Sequence, residues 1–433
     1  MKRVIKCMLA GTLAGVLCLS GCAQSETKAE QGAEETIIKF PTFQVGVNPS
    51  APAIEEITQR FNEKFKGKYQ IEIEEVPGDA NYVEKMKVLL SADSLPAVID
   101  GRGYNLLDMA LSRDAVVDLT PYLEADPEWK AQFDDRTLEY NSRDGKVYSI
   151  PAERSVIGYF YNKELYAKAG IEKPAETWEE LFAQLDQLKA AGITPLSMDT
   201  ADSAWSSSLW LGAFMATSGP EGQKFMDQMM PDSYNDPAFV DGTEKLKKML
   251  QEYTTDDAIG GKFEHAANNF LSGKTAIIAN GPWMTNAFSD PTKAPEGFAD
   301  KVGVAIYPES CVYSAPMLGY FVAAKDEKQI EAAVEMVKFF TSDEAQQIAL
   351  EVSGLLPASQ TVEITDEIRT KYPLTAELLD QAGGAEVQVN YLQATMYPNL
   401  LDVMSQELPS LAAGQIDAAE FCDRLTQAAL KNK

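Results

Sequence analysis

An alternation of strand-like and helix-like segments, beginning at residue 36, constrains the fold of this chain more than any other feature. Residues 36–47 and 69–76 have the composition and alternation of strands, and residues 96–100 form a third, shorter run. Between them, residues 50–66 carry apolar side chains at helical spacing, and a second helical pattern lies near 80–92. This order predicts an α/β fold, a sheet with helices on both faces.

The same order returns further along the chain. Residues 156–165 predict a strand, and Thr177 with Glu180 three residues later predicts a capping box that opens a helix closed by Gly192. Further strands are predicted at 274–280, 301–308 and 318–325, and mostly helices from about 329 to 433. A chain of 433 residues with this repetition predicts two domains or one elaborate domain.

The first 22 residues have the pattern of a bacterial lipoprotein signal. Three positive charges precede the apolar run 7–19, which is too short to cross a bilayer, since that takes about 20 apolar residues. The sequence Leu19-Ser20-Gly21-Cys22 resembles a lipobox, in which residues 1–21 are removed and the thiol of Cys22 is acylated. The alternative is an ordinary secretory peptide with an incidental cysteine. Residues 22–35 contain no large apolar side chain and predict a disordered tether.

The charge of the chain limits its partners. Loss of residues 1–21 removes three positive and no negative charges, so the net charge changes from −27 to −30. Such acidity disfavours nucleic acid and anionic lipid headgroups as partners. The remaining cysteines, Cys311 and Cys422, could pair in an oxidising compartment or remain buried thiols. No later segment is apolar enough to predict a transmembrane helix.

Signatures of an enzyme are scarce. His265 is the one histidine of the chain, which argues against a histidine-based triad or a multi-histidine metal site, and we expect it on a helix surface. The sequence has no G-x-S-x-G motif, no P-loop and no G-x-G-x-x-G after a strand, so we expect no cofactor and no metal. Paired carboxylates for glycoside cleavage remain an alternative in so acidic a chain, as does a structural or adhesion role.

The order of several segments resembles the extracellular solute-binding proteins of bacterial ABC importers, in the sugar-binding branch that includes the maltose-binding protein. The resemblance covers essentially the whole chain. The segments that carry it are the lipobox and residues 145–171, 177–196, 270–284, 318–325 and 332–346.

The resemblance implies a type II periplasmic-binding-protein-like fold, in which two discontinuous α/β lobes surround a hinge and a ligand cleft. The implied crossings lie at Ser149-Ile150-Pro151, near 308–316 and near 342–346. Lobe one would then contain residues 36–150 and 314–342, and lobe two residues 151–313 and 343–433.

The resemblance also implies a function. The protein would be a monomer, lipid-anchored on the extracytoplasmic face, that captures a carbohydrate, with an oligosaccharide favoured. It would deliver this ligand to ABC permease subunits by closing the cleft. The acidic and basic residues are also consistent with another polar solute.

Aromatic platforms and hydrogen-bonding groups are the residues that a sugar site needs, because sugars present C–H patches on ring faces and hydroxyls at ring edges. The resemblance assigns platforms to Trp283, Trp205 and Tyr397, each with a core position as its alternative, whereas Trp210 is expected in the core. It matches Glu153 to a sugar-contacting glutamate.

Further polar candidates follow predicted strands. Arg154 replaces the apolar residue that is usual at its position in the family, and Tyr320 could either narrow the cleft or pack under the sheet. The remaining candidates are Gln44 and Asn48 after the first strand, and Asp100, Arg102 and Tyr104 in one loop, where a local Asp–Arg pair is the alternative.

Overall fold

The computed structural model describes residues 35–101 and 106–432. Within these residues the strands are β1 (Thr36–Thr42), β2 (Tyr69–Glu75), β3 (Val98–Asp100), β4 (Ser142–Arg143), β5 (Lys146–Val147), β6 (Ser155–Asn162), β7 (Thr194–Ser197), β8 (Thr275–Asn280), β9 (Val302–Ala305), β10 (Cys311–Ala315), β11 (Tyr320–Val322) and β12 (Val387–Val389).

The helices alternate with these strands and dominate the last hundred residues. They are α1 (Ala51–Lys64), α2 (Asp79–Ser91), α3 (Leu106–Leu111), α4 (Thr120–Ala125), α5 (Pro127–Lys130), α6 (Asp135–Tyr140), α7 (Lys163–Lys168), α8 (Trp178–Ala190), α9 (Trp205–Ala216), α10 (Pro220–Asp227), α11 (Pro237–Glu252), α12 (Phe263–Leu271), α13 (Thr285–Phe288), α14 (Phe298–Lys301), α15 (Glu327–Phe340), α16 (Asp343–Ser353), α17 (Asp366–Lys371), α18 (Pro373–Gly383), α19 (Leu392–Thr395), α20 (Asn399–Ala412) and α21 (Ala418–Leu430). Two short 3-10 helices cover Asp256–Ala258 and Pro282–Met284.

Some predictions concern residues that lie outside the described part of the chain. These are the signal peptide, nearly all of the tether, Cys22, Arg102 and Tyr104. Across the described ranges, no helix combines the length and apolar character that a bilayer crossing needs.

The strands form separate sheets. β1 and β2 pair in parallel, and β3 pairs with β11 in antiparallel orientation. The larger sheet has the order β12-β10-β6-β8-β7, and β9 also pairs with β6. The alternation of helices with mixed sheets confirms the predicted α/β class.

Three stretches of chain run side by side between these sheets. Ile150 bridges to Tyr320 next to β11, whereas Ser155 already pairs with Ala315 in the larger sheet. Glu153, between them, bridges to Pro357. We call residues 149–155, 315–320 and Pro357 the hinge segments.

Side-chain caps mark where several of the helices begin. The Thr177 hydroxyl accepts the Glu180 N–H at 3.2 Å, so the predicted cap of α8 is present. The second half of the capping box is absent, because the Glu180 carboxylate accepts the N–H of Glu176 instead of that of Thr177. At α1, the side chain of Ser50 does not cap the helix. The Asn48 side chain instead accepts the N–H of Ser50 at 2.9 Å.

The position of α16 departs from the predicted boundary at residue 343. Its buried Ala345 and Ile348 belong to the same hydrophobic cluster as Ile54 and Ile57 of α1. That cluster also contains the buried face of α15. We therefore propose that lobe one extends through α16, and that the third crossing follows it near Pro357 instead of at 342–346.

Candidate ligand-binding site

One edge of the larger sheet faces the hinge segments. Asn280, the last residue of β8, pairs with Gly158, three residues after β6 begins. β7 runs parallel to β8, and β12 runs parallel to β10, whose last residue pairs with Ser155. The loops that follow β7, β8 and β12 therefore all emerge at this edge, where side chains converge in α/β sheets.

Three aromatic rings meet at this edge, one from each of these loops. The ring centroid of Trp205 lies 6.1 Å from that of Trp283 and 5.5 Å from that of Tyr391. Trp205 and Trp283 are half-buried, whereas Tyr391 is 6% exposed. We call Trp205, Trp283 and Tyr391 the aromatic group. Two partly exposed indoles side by side can present apolar ring surface to a ligand.

The turn after β8 contacts both indoles. The buried Asn280 accepts the N–H of Gly281 at 2.8 Å and the indole N–H of Trp205 at 3.3 Å. The Trp283 ring folds back over Gly281, where an added Cβ would lie 2.3 Å from the ring. The lack of a side chain at Gly281 therefore leaves room for the Trp283 ring, and Asn280 holds the Trp205 indole at the end of β8.

A buried carboxylate sets the position of Trp205. The Asp199 carboxylate accepts the backbone N–H groups of Trp205 and Ser206, both at 2.8 Å. These are the first two residues of α9, which follows Ala204 in the left-handed region at a φ of 48°. Burial raises the pKa of Asp199 to about 7, although these hydrogen bonds oppose the rise.

Glu153 and Arg154 line a different space. This pocket of about 370 Å³ lies against the hinge segments and contains none of the aromatic group. We call it the hinge pocket. Its polar lining includes Asp134, Arg136, Glu153, Arg154, Ser155 and Ser314.

Gln44 and Tyr320 line a small cavity of about 20 Å³ together with Glu153. Gln44 is buried, and Tyr320 is 2% exposed. The Tyr320 ring makes edge contacts with Phe40 at 6.1 Å and Phe340 at 5.7 Å. Of its two alternatives, Tyr320 thus packs under the sheet, in the core that β1 and α15 share.

The other predicted residues have local structural partners. Asn48 supports the start of α1, and the buried Asp100 exchanges backbone hydrogen bonds with the Tyr82 hydroxyl at 3.0 and 3.1 Å. The Tyr397 hydroxyl lies 3.4 Å from the Asp232 carboxylate. The structure therefore brings together Trp205 and Trp283, but places Asn48 and Tyr397 in other surroundings.

The sequence prediction did not include Tyr391, Asn280 or Asp199. Each follows or ends a strand whose carboxyl end meets the hinge segments. The signal available in the sequence was a polar or aromatic residue directly after an apolar run, as in "VQVNY" and "IIAN". It could not be used for β12, because that strand has only three residues and was hidden among the predicted helices.

The reactive side chains of the described residues form no centre. Cys311 and Cys422 are buried free thiols, and burial raises the pKa of Cys311 to about 12. His265 is exposed near the start of α12, as predicted, and accepts the N–H of Lys262. Within the described ranges, no three His, Cys, Asp or Glu side chains are grouped as metal ligands would be.

Comparison with solved structures defines the class, a periplasmic-binding-protein-like fold of type II. A chitin oligosaccharide binding protein superposes with a TM-score of 0.81 at 22% identity, covering 92% of this chain and 99% of the other. A Streptococcus pneumoniae solute-binding protein, solved in complex with the blood group A-trisaccharide, gives 0.76 at 22% identity, covering 92% and 100%.

The chain belongs to the family of bacterial extracellular solute-binding proteins, whose model matches residues 56–376. It is a binding protein and not an enzyme. A relative among characterised proteins is the sn-glycerol-3-phosphate-binding periplasmic protein UgpB of Rhizobium meliloti. It is 23% identical over 404 residues, which cover 86% of this chain and 89% of that relative.

Proposed function

We propose that this protein is the lipid-anchored substrate-binding component of an ABC importer and that it captures a carbohydrate, with an oligosaccharide favoured. The single observation that carries the choice of ligand is the aromatic group. The ring centroids of Trp205 and Trp283 lie 6.1 Å apart where the larger sheet faces the hinge segments, both side chains are partly exposed, and Asn280 and Asp199 hold Trp205.

The chemistry of this edge supports a sugar. Indole faces bury the C–H patches of pyranose rings, and neighbouring amides and carboxylates exchange hydrogen bonds with hydroxyl groups. The structural relatives bind a chitin oligosaccharide and the blood group A-trisaccharide. A ligand held between this edge and lobe one would favour a closed arrangement, which the permease would recognise.

The remaining predicted contacts belong to this proposal. Trp283 and Trp205 are its platforms, and Gln44 and Glu153, which line one small cavity, are its polar candidates. Arg102 and Tyr104 are proposed from the sequence alone. The anchor on Cys22 and the extracytoplasmic location are proposed together, as is a monomeric state.

Another polar solute is the second candidate. The observation that favours it is the similarity over most of the chain to a protein that binds sn-glycerol 3-phosphate. Such a ligand is too small to use two platforms, so its affinity would depend little on Trp205.

A thermal-shift screen separates the two candidates. The panel is maltotriose, raffinose, chitotriose, the blood group A-trisaccharide, sn-glycerol 3-phosphate and inorganic phosphate. A ligand present at about 100 times its dissociation constant adds about 2.7 kcal/mol to stability by mass action. We expect at least one saccharide to raise the melting temperature. Stabilisation by sn-glycerol 3-phosphate but not by inorganic phosphate, with no response to any saccharide, would replace the first candidate with the second.

The lipid anchor needs its own test. Palmitate labelling of bacteria that express the full chain should mark the protein, and Cys22→Ser should abolish the label. An unlabelled wild-type protein would contradict the anchor and leave the ligand proposal untouched.

A further inference from the structure

The hinge pocket is built from both sides of the hinge segments. Arg136 and Thr137 come from α6, whereas Ser155, Ser314 and Gln388 come from strands of the larger sheet. Its volume of about 370 Å³ falls in the range of about 300–1,000 Å³ that small-molecule pockets occupy. A ligand here would therefore touch both halves of the molecule at once.

Within the described ranges, two arginine side chains and two serine hydroxyls of this pocket have no hydrogen-bond partner in the protein. Arg136 and Arg154 are exposed, so water solvates their guanidinium groups, and among the described residues neither group makes a side-chain hydrogen bond or an ion pair within 4 Å. Ser155 is only 4% exposed, and its buried hydroxyl has no hydrogen-bond partner in the described part of the chain. The Ser314 hydroxyl likewise has no partner among the residues described.

An unpartnered buried hydroxyl is costly, because the group has lost its water without gaining another hydrogen bond. Ser155 lies on the first residue of β6, directly after Arg154, and both line the same pocket. The Ser155 oxygen has almost no accessible surface, so a bound acceptor reaches it only after a local shift of the pocket wall, whereas the Arg154 guanidinium is open to solvent.

Two carboxylates also line the pocket and bear on its charge. Asp134 is already used, because it accepts the N–H of Thr137 at 2.7 Å as the cap of α6. Glu153 also has an interaction partner of its own. The formal charges of the four ionisable residues cancel, so affinity for an anion must come from directed hydrogen bonds and will be modest.

We propose that the hinge pocket is a second binding site, for a tetrahedral oxyanion held by Arg136, Arg154, Ser155 and Ser314. Guanidinium groups donate paired, charge-assisted hydrogen bonds that suit phosphate and sulfate oxygens. The oxyanion is either inorganic phosphate or the phosphate of a small ester. This site is separate from the aromatic group, and the proposal does not depend on the choice of carbohydrate as the transported ligand.

A bound oxyanion in the hinge pocket would change the equilibrium between arrangements of the two lobes. An oxyanion that joins α6 to β6 and β10 stabilises the arrangement in which these groups lie as they do in this structure. By linkage, it changes the affinity of any ligand that prefers another arrangement of the lobes.

Titration calorimetry at pH 7 and constant ionic strength tests the site, with inorganic phosphate, sulfate and sn-glycerol 3-phosphate as probes and chloride as the blank. We expect phosphate to bind with a dissociation constant on the order of 1 mM. Arg136→Gln and Arg154→Gln should each weaken binding at least about tenfold, because each removes a charge-assisted pair of hydrogen bonds.

Two control variants test where on the protein phosphate binds. Arg60→Gln removes an exposed arginine from α1 and should leave phosphate binding unchanged. Trp283→Ala alters the aromatic group and should also leave it unchanged. Tighter binding of sn-glycerol 3-phosphate than of phosphate, with the same dependence on Arg154, would identify an ester as the occupant.

Three results would overturn the proposal. One is the absence of binding by both phosphate and sulfate. Another is equal phosphate binding by the wild-type protein and the Arg136→Gln, Arg154→Gln double variant. The third is loss of oxyanion binding in Trp283→Ala, which would place the anion at the aromatic group. Ser314→Ala, on a strand end, provides a further variant if either arginine variant fails to fold.

Discussion

Trp283 shows how a single residue depends on its immediate neighbours. Its ring lies over Gly281, and its neighbour Trp205 is held through Asn280. The ring therefore has a defined place before any ligand arrives. Preorganised aromatic surface binds with less loss of conformational freedom than a mobile side chain.

Replacing Trp283 with alanine tests its role as a platform. We expect Trp283→Ala to weaken the affinity for the saccharide found in the screen at least tenfold, since a packed aromatic contact is worth roughly 1–3 kcal/mol. The melting temperature without ligand should change little. Calorimetry and thermal unfolding measure the two quantities.

Trp178→Ala is the matched control, because Trp178 is also half-buried but lies against Phe214 and donates to Thr217. It should lower stability and leave affinity intact. A large loss of stability in Trp283→Ala with unchanged affinity would instead make Trp283 a core residue.

Asp199 predicts a dependence of stability on pH. Its pKa of about 7 in the folded protein exceeds the value of about 3.9 for an unfolded chain, so the folded state holds the proton more tightly. The stabilisation from this group is complete below about pH 4 and is lost as the pH rises through about 7.

Urea unfolding at several pH values measures this dependence. Across that window the free energy of unfolding should fall with a slope of up to about 1.4 kcal/mol per pH unit, and Asp199→Asn should remove this component. Asp300→Asn is the control, since Asp300 is exposed on α14 and is not among the charges that shift the pKa of Asp199. Parallel pH profiles for wild type and Asp199→Asn would contradict the raised pKa.

At the scale of elements, two of the hinge segments lie with their backbones in close contact at Gly319. A Cβ at Gly319 would lie 1.9 Å from the carbonyl oxygen of Ile150 and 2.2 Å from the nitrogen of Pro151. Both are backbone atoms, so neither can rotate away as a flexible side chain would. Pairing of Ile150 with Tyr320 therefore requires glycine at this position.

We expect Gly319→Ala to destabilise the protein by about 1–3 kcal/mol or more, because the strands must separate to relieve the overlap. Gly383→Ala, at the end of α18, has no atom within 4 Å of its added Cβ and should change stability by less than about 0.5 kcal/mol. Urea unfolding compares the two. Equal effects would show that the hinge tolerates a side chain.

Helices α8 and α16 show what an apolar stripe in the sequence predicts and what it does not. The apolar stripe of α8 was predicted well, since Leu181, Leu185 and Leu188 are all fully buried. The stripe of α16 is equally regular, yet the pattern cannot say which lobe it covers. That choice follows from its contact with α1, which lies almost three hundred residues earlier in the chain.

At the scale of the whole molecule, the proposed function requires a change of shape. X-ray scattering with and without a saturating saccharide should show a smaller radius of gyration in the bound protein, because the ligand bridges the two sides of the cleft. Trp283→Ala at the same saccharide concentration is the control and should compact less. Tight binding without compaction would separate ligand capture from closure.

The sequence by itself determined the element types, the α/β class and the family, because these depend on local periodicity, strand and helix ends and the order of motifs. It also pointed to Trp205 and Trp283. Only the tertiary structure decided that these two indoles meet Tyr391 and that Tyr320 packs in the core. It also decided that Glu153 and Arg154 line a pocket to which neither indole contributes. Such convergence depends on the register between strands that are distant in the chain, as when Asn280 pairs with Gly158, and no local pattern encodes that register.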